Sequence, residues 1–483
     1  MPQFNLVAAA RQEMIHRGLD PDFPSGTAQQ IETIRARPAP AVSAGIHDLR
    51  HLPWSSIDND TSRDLDQIEA AERVSSGIRV SLAIADVDSA VDEETPIDRH
   101  ACSQTTSVYT GVKTFPMLPE ELSTDMTSLN EASDRLAMVI EMVVGADGSL
   151  QSPSIYRALV RNRAQLAYNS VGPWLEGSAG PPPKLAQSEE LQAQLKLQDE
   201  AAQILCESRH RLGALDLDRP ETETILSNGD IDIAERRRNR ASRLIEDLMV
   251  AANQVMARTL SQAGVSSIRR VVKSPERWQR IVALAAQHGE KLPADPDSAA
   301  LNAFLRKMRV SDSVHYADIS LAIIKLLGPG EYVLARAGCE DPGHFALAVH
   351  DYTHSTAPNR RFSDMVTQRL IKSVLRKQVP PYSDPELDSI ATNCTLKEDA
   401  ARKVERTMGK RIAAVALANR IGSVFHAVVT GVTLKGTFVR ITNPPAEGLL
   451  IHGEQGVDVG DQLSVKLVST DPRRGYLDFA RQS

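Results

Sequence analysis

Hydrophobic and polar residues alternate along GIRVSLAIADV, where Ile78, Val80, Leu82 and Ile84 interleave with Arg79, Ser81, Ala83 and Ala85. That two-residue period predicts a strand with one face turned to a core. MVIEMVV (138–144) predicts another strand, and GADGS (145–149) a hairpin turn. A helical period takes over in RRRNRASRLIEDLMVAANQVMARTL (236–260), with Leu244, Leu248, Ala251, Ala252 and Val255 on one face. Its first turn would carry Arg236, Arg237, Arg238, Arg240 and Arg243. Cations there oppose the helix dipole, which fits an external anion such as RNA backbone or a solvated charge run. GSAGPPPK (177–184) is a linker, a polar helix follows to about Arg211, and 176–340 is expected to be mostly helical.

The two ends differ. Leu6, Ala9, Ala10 and Met14 make one helical face, Gly18 and Pro21 break it, and Thr27 caps a second helix carrying Ile31 and Ile34. Residues 1–45 are therefore a small helical module, either a helix-turn-helix or a packing appendage. A highly charged helix is expected over about 385–420. Beyond it, GSVFHAVVTGVTLKGTFVRIT, AEGLLIHGEQ and VGDQLSVKLVSTDPRRGYLDFARQ form a compact β pattern over 421–483.

Composition narrows the class. A chain of 483 residues holds several domains. Its net charge of -7 argues against a globally basic nucleic-acid coat, though not against a local basic channel. The four cysteines form no CxxC, so a zinc site or disulfide framework is not expected, and a reducing, cytoplasmic setting fits. No apolar run reaches a membrane span of ~18–20 residues, and no membrane partner is expected.

Chemistry concentrates in IDNDTSRDLDQ (57–67), where Asp58, Asp60, Asp64 and Asp66 crowd onto a loop. Crowded carboxylates repel unless cations neutralise them, and hard divalent ions with oxygen ligands are the usual answer. A solvated acidic loop is the plain alternative.

The spacing of Asp58, Asp64 and Asp66 ahead of an alternating strand resembles the catalytic signature of the RNase II family, the RNB domain. YTGVKTFPMLPEELSTDMTSL (109–129) and GHFALAVHDYTHSTAPNRRFSDMVTQRLI (343–371) resemble two further RNB segments, and 421–483 resembles an S1 domain. The resemblance implies an α+β architecture. An RNB catalytic domain over 46–415, a mixed β-sheet core surrounded by helices, would be followed by an OB-fold (S1) barrel over 421–483. It implies catalysis by Asp58, Asp64, Asp66 and Arg360, with Asp58, Asp64, Asp66 and Gln67 holding one or two Mg²⁺ ions. It implies RNA contacts from Tyr109, Glu246, Arg361, Phe425, Phe438 and His452, with Lys435 and Arg440 near the barrel's surface and Glu405 near the site. Three positions depart from the family pattern: Gln67 replaces a fourth aspartate, Asn359 an isoleucine and Gln368 a histidine. Either the site works with less negative charge, or Asp60 or a neighbour compensates, or catalysis is impaired.

The expected activity is Mg²⁺-dependent, processive 3′→5′ hydrolysis of RNA to 5′-nucleoside monophosphates, in RNA decay or processing. The expected substrate is single-stranded RNA or a duplex with a 3′ overhang, and the expected state a monomer. A catalytically silent RNA-binding protein on the same scaffold, and an endonuclease, are the alternatives. Product length separates all three.

Overall fold

The computed structural model describes residues 4–217, 221–227, 230–236, 238–312, 316–339, 343–434 and 436–482. Its centre is a seven-stranded sheet in the order Ile46–Asp48, Leu150–Arg161, Asp134–Val144, Gly77–Ala85, Gln67–Val74, Ser55–Asp58, Ala164–Ala167. The middle strands pair antiparallel; the two edge pairs run parallel. Both faces of Gly77–Ala85 are covered, and Ala83 and Ala85 are as buried as Leu82 and Ile84. The alternation therefore marks a central strand whose second face carries small side chains beneath packed helices. Helix Glu189–Arg211 lies on strand Gln67–Val74, and helix Arg240–Gln262 lies beside it.

The arginine-rich helix starts later than its composition predicts. Asn239 caps it: the Asn239 carboxamide accepts from the Ser242 N–H at 3.0 Å while Ser242 Oγ accepts from the Asn239 N–H at 3.0 Å. Arg236 ends a strand instead, Arg238 precedes the cap, and Arg237 lies outside the described residues. Arg240 is held by Asp199 at 2.6 Å, so this first-turn cation has an internal partner.

A hairpin, Glu221–Ser227 paired with Asp230–Arg236, interrupts the segment expected to be mostly helical. Helices Trp278–Gln287, Ser298–Ser311 and Tyr316–Leu327 close around their own apolar cluster, including Trp278, Ile281 and Phe304. At the N-terminal end, Leu6–His16 packs on the long helix Asp384–Ala416, whereas Thr27–Arg35 packs on helix Pro96–Gln104. Their apolar faces enter different clusters.

The C-terminal strands close a five-stranded barrel in the order Val424–Thr433, Gly436–Thr442, Pro445–His452, Tyr476–Arg481, Gln462–Asp471. It shares an apolar cluster with the long helix. Arg440 ties it to helix Tyr316–Leu327 through Asp318 at 2.6 Å. Phe425 does not offer its ring to a ligand. It is 6% exposed, and its ring meets Phe479 edge-on with centroids 6.5 Å apart. The expectation of base stacking there is corrected: strand alternation turns Val424 and His426 outward and Phe425 into the barrel. Phe425→Ala is therefore expected to cost about 3–5 kcal/mol of stability, read as a lowered thermal midpoint. A variant of unchanged stability with weakened RNA binding would reverse this assignment. Phe438 is half-buried on the outward face, His452 is exposed, and Lys435 lies outside the described residues. Among the described residues no helix is long and apolar enough to cross a membrane.

Candidate active site

Asp58 ends the strand Ser55–Asp58, and Gln67 opens the antiparallel neighbour Gln67–Val74. The aspartate loop is thus 59–66, shorter than its composition predicts. Adjacent strand ends bring the Gln67 amide to Asp58, where Nε2 donates to Oδ1 at 3.1 Å.

The loop is pinned from three sides. The Leu65 side chain is fully buried, the Leu65 N–H donates to Ser128 Oγ at 2.9 Å, and the Leu129 N–H donates back to the Leu65 carbonyl at 2.9 Å. The Ala85 N–H donates to the Asp66 carbonyl at 2.9 Å. From the third side, the Asn359 N–H donates to Asp66 Oδ1 at 2.9 Å. The Asn359 side-chain oxygen in turn accepts from Thr127 Oγ1 at 2.6 Å. Backbone pairing of 105–107 with 360–362 completes the assembly. It carries Tyr109 and Arg360 to the same place.

The result is a cavity of about 660 Å³ lined by Asp58, Asp64, Asp66, Gln67, Tyr109, Glu246, Arg360 and Arg361, among others. Tyr109 donates its hydroxyl to Asp64 Oδ2 at 3.0 Å, and its N–H to Glu405 at 3.1 Å. Its ring is 41% exposed, and that surface opens into the cavity. Arg360 Nε lies 3.4 Å from Asp66 Oδ2. Arg361 also reaches the wall but is held in a fork by Asp364 at 2.6 and 2.9 Å. Glu246 is paired with Arg238 at 3.1 Å.

Other carboxylates stay out of the cavity. Asp60 turns to Asn169 Nδ2 at 3.0 Å, so it does not stand in for the missing charge at Gln67. Asp86 and Asp88 are engaged by Lys372, Arg157 and Arg369. Gln368 donates to the Ala85 carbonyl at 2.8 Å, a structural contact.

Three contributors carry weaker sequence signals. Tyr168 opens a helix directly after strand Ala164–Ala167 and lines the cavity. His344, Tyr352 and His354 form a wall of edge-on rings, with centroids 5.4 and 5.8 Å apart, inside the 343–371 block. Glu69 sits two residues after Gln67 on the same strand, fully buried, and neither carboxyl oxygen has a hydrogen-bond partner among the described residues. A glutamate at an inward strand position beside the aspartate loop was the available signal.

Burial dominates the electrostatics. It pushes Asp58 up to about 6, against the Gln67 amide and Arg360, which favour the charged form. It pushes Asp66 up to about 7, again against Arg360. Burial, then Asp58, hold Glu69 well above the usual carboxylate range. Burial also raises the Tyr109 hydroxyl, despite the opposing Arg360 charge. One oxygen of Asp58 is buried without a hydrogen-bond partner among the described residues, and Asp66 Oδ2 has no partner there beyond Arg360 at 3.4 Å. Unsatisfied carboxylate oxygens on a cavity wall fit a cation. Among the described residues no three acidic, histidine or cysteine side chains converge into a complete ligand set. A divalent ion would therefore take remaining ligands from water and phosphate, as Mg²⁺ commonly does.

A pH dependence follows. Above pH 6.5 the folded chain still retains protons on Asp66 that the unfolded chain has already released, so stability falls as pH rises; burial shifts Glu69 in the same direction. The buried neutral histidines His344 and His354 act oppositely, but only below their unfolded value near 6.5. In chelator, the thermal midpoint is expected to drop between about pH 6.5 and 8, and Asp66→Asn to flatten the drop. A midpoint that rises over this window would contradict the assignment.

Comparisons with known proteins identify the family and the fold. The RNB domain family matches residues 46–377, and the RNase II-type exonuclease C-terminal S1 domain matches 423–482. Ribonuclease R of Thermotoga maritima is 30% identical, covering 95% of this chain and 68% of the relative. Ribonuclease R of Escherichia coli is 30% identical, with 95% and 60% covered. The chain thus spans about two thirds of the length of these relatives. Mycoplasma genitalium RNase R, solved with ribose-methylated single-stranded RNA, superposes with a TM-score of 0.86 at 22% identity, covering 99% of this chain and 78% of that one. The same enzyme solved with double-stranded RNA gives a TM-score of 0.85 at 23% identity, covering 99% and 83%.

Proposed function

The chain belongs to the RNB-domain family and carries an RNase II-type C-terminal S1 domain, and from that premise we propose that it is a Mg²⁺-dependent exoribonuclease that digests single-stranded RNA processively from the 3′ end to 5′-nucleoside monophosphates. The carrying observation is the meeting of Asp58, Asp64 and Asp66 with Arg360 and Tyr109 in one cavity. These come from segments about 300 residues apart in sequence.

In this reading the RNA 3′ end enters the cavity, and Tyr109 stacks on a terminal base, a contact that tolerates any sequence. Glu246 accepts from the ribose 2′-hydroxyl, the group that separates RNA from DNA. Asp58, Asp64 and Asp66 would hold one or two cations, with the Gln67 carbonyl oxygen as a further ligand. When bound, the cation supplies an activated water and neutralises charge at the scissile phosphate. Arg360 grips the phosphate and stabilises the charge that grows in the transition state. Arg361, held by Asp364, lines the path of the RNA backbone, and Phe438 and His452 hold the incoming strand on the barrel's outer face. The protein works as a cytoplasmic monomer in RNA decay or processing. A duplex with a 3′ overhang is a second substrate.

Gln67 favours one further reading, a catalytically silent RNA-binding protein. A 5′-labelled, unstructured RNA oligomer separates the two. Mg²⁺-dependent shortening from the 3′ end to a short stub, with matched DNA left intact, is the expected result. Intact RNA in every lane with a shifted native-gel band would establish the binder, and internal fragments would establish an endonuclease.

A further inference from the structure

The aspartate cavity continues into two smaller clefts. The first, about 230 Å³, lies between helix Tyr168–Leu175 and the start of helix Arg240–Gln262, and it shares Tyr168, Arg236, Ile245 and Glu246 with the cavity. The second, about 360 Å³, lies between helices Glu189–Arg211 and Arg240–Gln262, and it shares Arg238 and Asn239 with the first. Together they form a groove leading from the cavity past four arginines: 236, 238, 240 and 243.

Four arginines and four carboxylates, Glu176, Asp199, Glu246 and Asp247, line this groove, and they are unevenly paired. Asp199 is engaged by Arg240, Glu246 by Arg238 and Asp247 by Arg209. Glu176 accepts the Arg240 N–H at 2.9 Å. Among the described residues Arg236 and Arg243 have no ion-pair partner; Arg236 stands where the cavity meets the groove, and Arg243 is exposed at its outer end.

We propose that this groove binds the nucleoside 5′-monophosphate product and conducts it out of the active site, with Arg236 and Arg243 as its phosphate contacts. The inference rests on the proposed exonuclease activity. Hydrolysis converts a diester carrying one negative charge into a monoester that carries close to two at neutral pH. The dianion is attracted by guanidinium groups that lack ion partners more strongly than the remaining strand is. Position agrees. Tyr109 leans on the long helix through Glu405, and the barrel packs on that same helix. The groove runs between helices Tyr168–Leu175 and Arg240–Gln262, where Asn239 Nδ2 donates to the Tyr168 carbonyl at 2.8 Å.

The test measures adenosine 5′-monophosphate binding by calorimetry in the wild type, Arg243→Ala and Arg243→Glu, alongside the affinity for an RNA oligomer in chelator. Arg243 is exposed, so both variants are expected to fold, and unchanged thermal midpoints verify it. Arg243→Glu is expected to weaken monophosphate binding about fivefold, the scale of one partly exposed charge contact, and to relieve product inhibition equally, with RNA affinity unchanged. Equal weakening of RNA and monophosphate would show that the groove holds the strand, and would overturn the proposal. So would monophosphate binding indifferent to Arg243 in a wild type that degrades RNA. Wild-type RNA degradation is scored separately: its absence sinks the nuclease reading, whereas the binding ratio decides the groove.

Discussion

Asp66→Asn is expected to abolish RNA turnover and to leave RNA binding nearly intact. The substitution keeps the shape of the side chain and an oxygen able to accept the Asn359 N–H, the contact that joins the loop to the arginine block. It removes the negative charge, which the cavity needs to hold a cation. Losing the cation's contribution costs several kcal/mol of transition-state stabilisation, about 10³-fold in rate or more. In the proposed reading, binding depends instead on stacking by Tyr109 and on the barrel's outer face, neither of which hydrogen-bonds to Asp66. The variant is also expected to be at least as stable as the wild type in chelator at pH 8, because burial already disfavours the charged form of Asp66. Single-turnover kinetics, a filter-binding isotherm and a melting curve measure all three. A variant that turns RNA over at the wild-type rate but binds it weakly would remove Asp66 from the catalytic set.

Arg360→Lys is expected to lower the rate about 10²–10³-fold with little change in RNA affinity, the scale of losing one preorganised donor at a developing oxyanion. Lysine keeps the charge, so the aspartates retain a nearby cation. It loses the planar fork that matches two phosphate oxygens at once. Arg360 is also positioned by its neighbours: its carbonyl accepts the Ser107 N–H at 3.1 Å, two residues before Tyr109. A shorter-reaching or differently aimed cation at this point misses the phosphate by a distance that matters. Arg361→Lys provides the contrast. The Arg361 guanidinium is committed to Asp364, so its replacement is expected to show first as lost stability at the start of helix Phe362–Arg376. Wild-type rates for Arg360→Lys would mean that a point charge suffices there.

The residues lining the cavity were largely visible as motifs, because each motif is local and chemically unusual. Four aspartates on a polar loop, PMLPEELS beside an aromatic, and paired arginines after a proline each stand out from their surroundings. The hairpin at Glu221–Arg236 was missed although Ser-Asn-Gly-Asp separates two alternating runs. Its short strands were outweighed by long helical patterns on both sides. The arginine run was read as one helical turn because composition does not reveal where a capping side chain sets the first turn.

Sequence by itself determined the periods: which stretches are strands, which are helices, and which residue types crowd together. It also determined the family signature, since spacing along the chain survives without coordinates. Tertiary structure alone decided which face of each period is inside. Phe425 and Val424 are both apolar neighbours, and only closure of the barrel chose to bury one and expose the other. The same closure of strands set Gln67 against Asp58, turned Asp60 away to Asn169, and left Glu69 buried without a hydrogen-bond partner among the described residues. These outcomes depend on segments far apart in the chain meeting in space, and a local pattern carries no record of its distant neighbours.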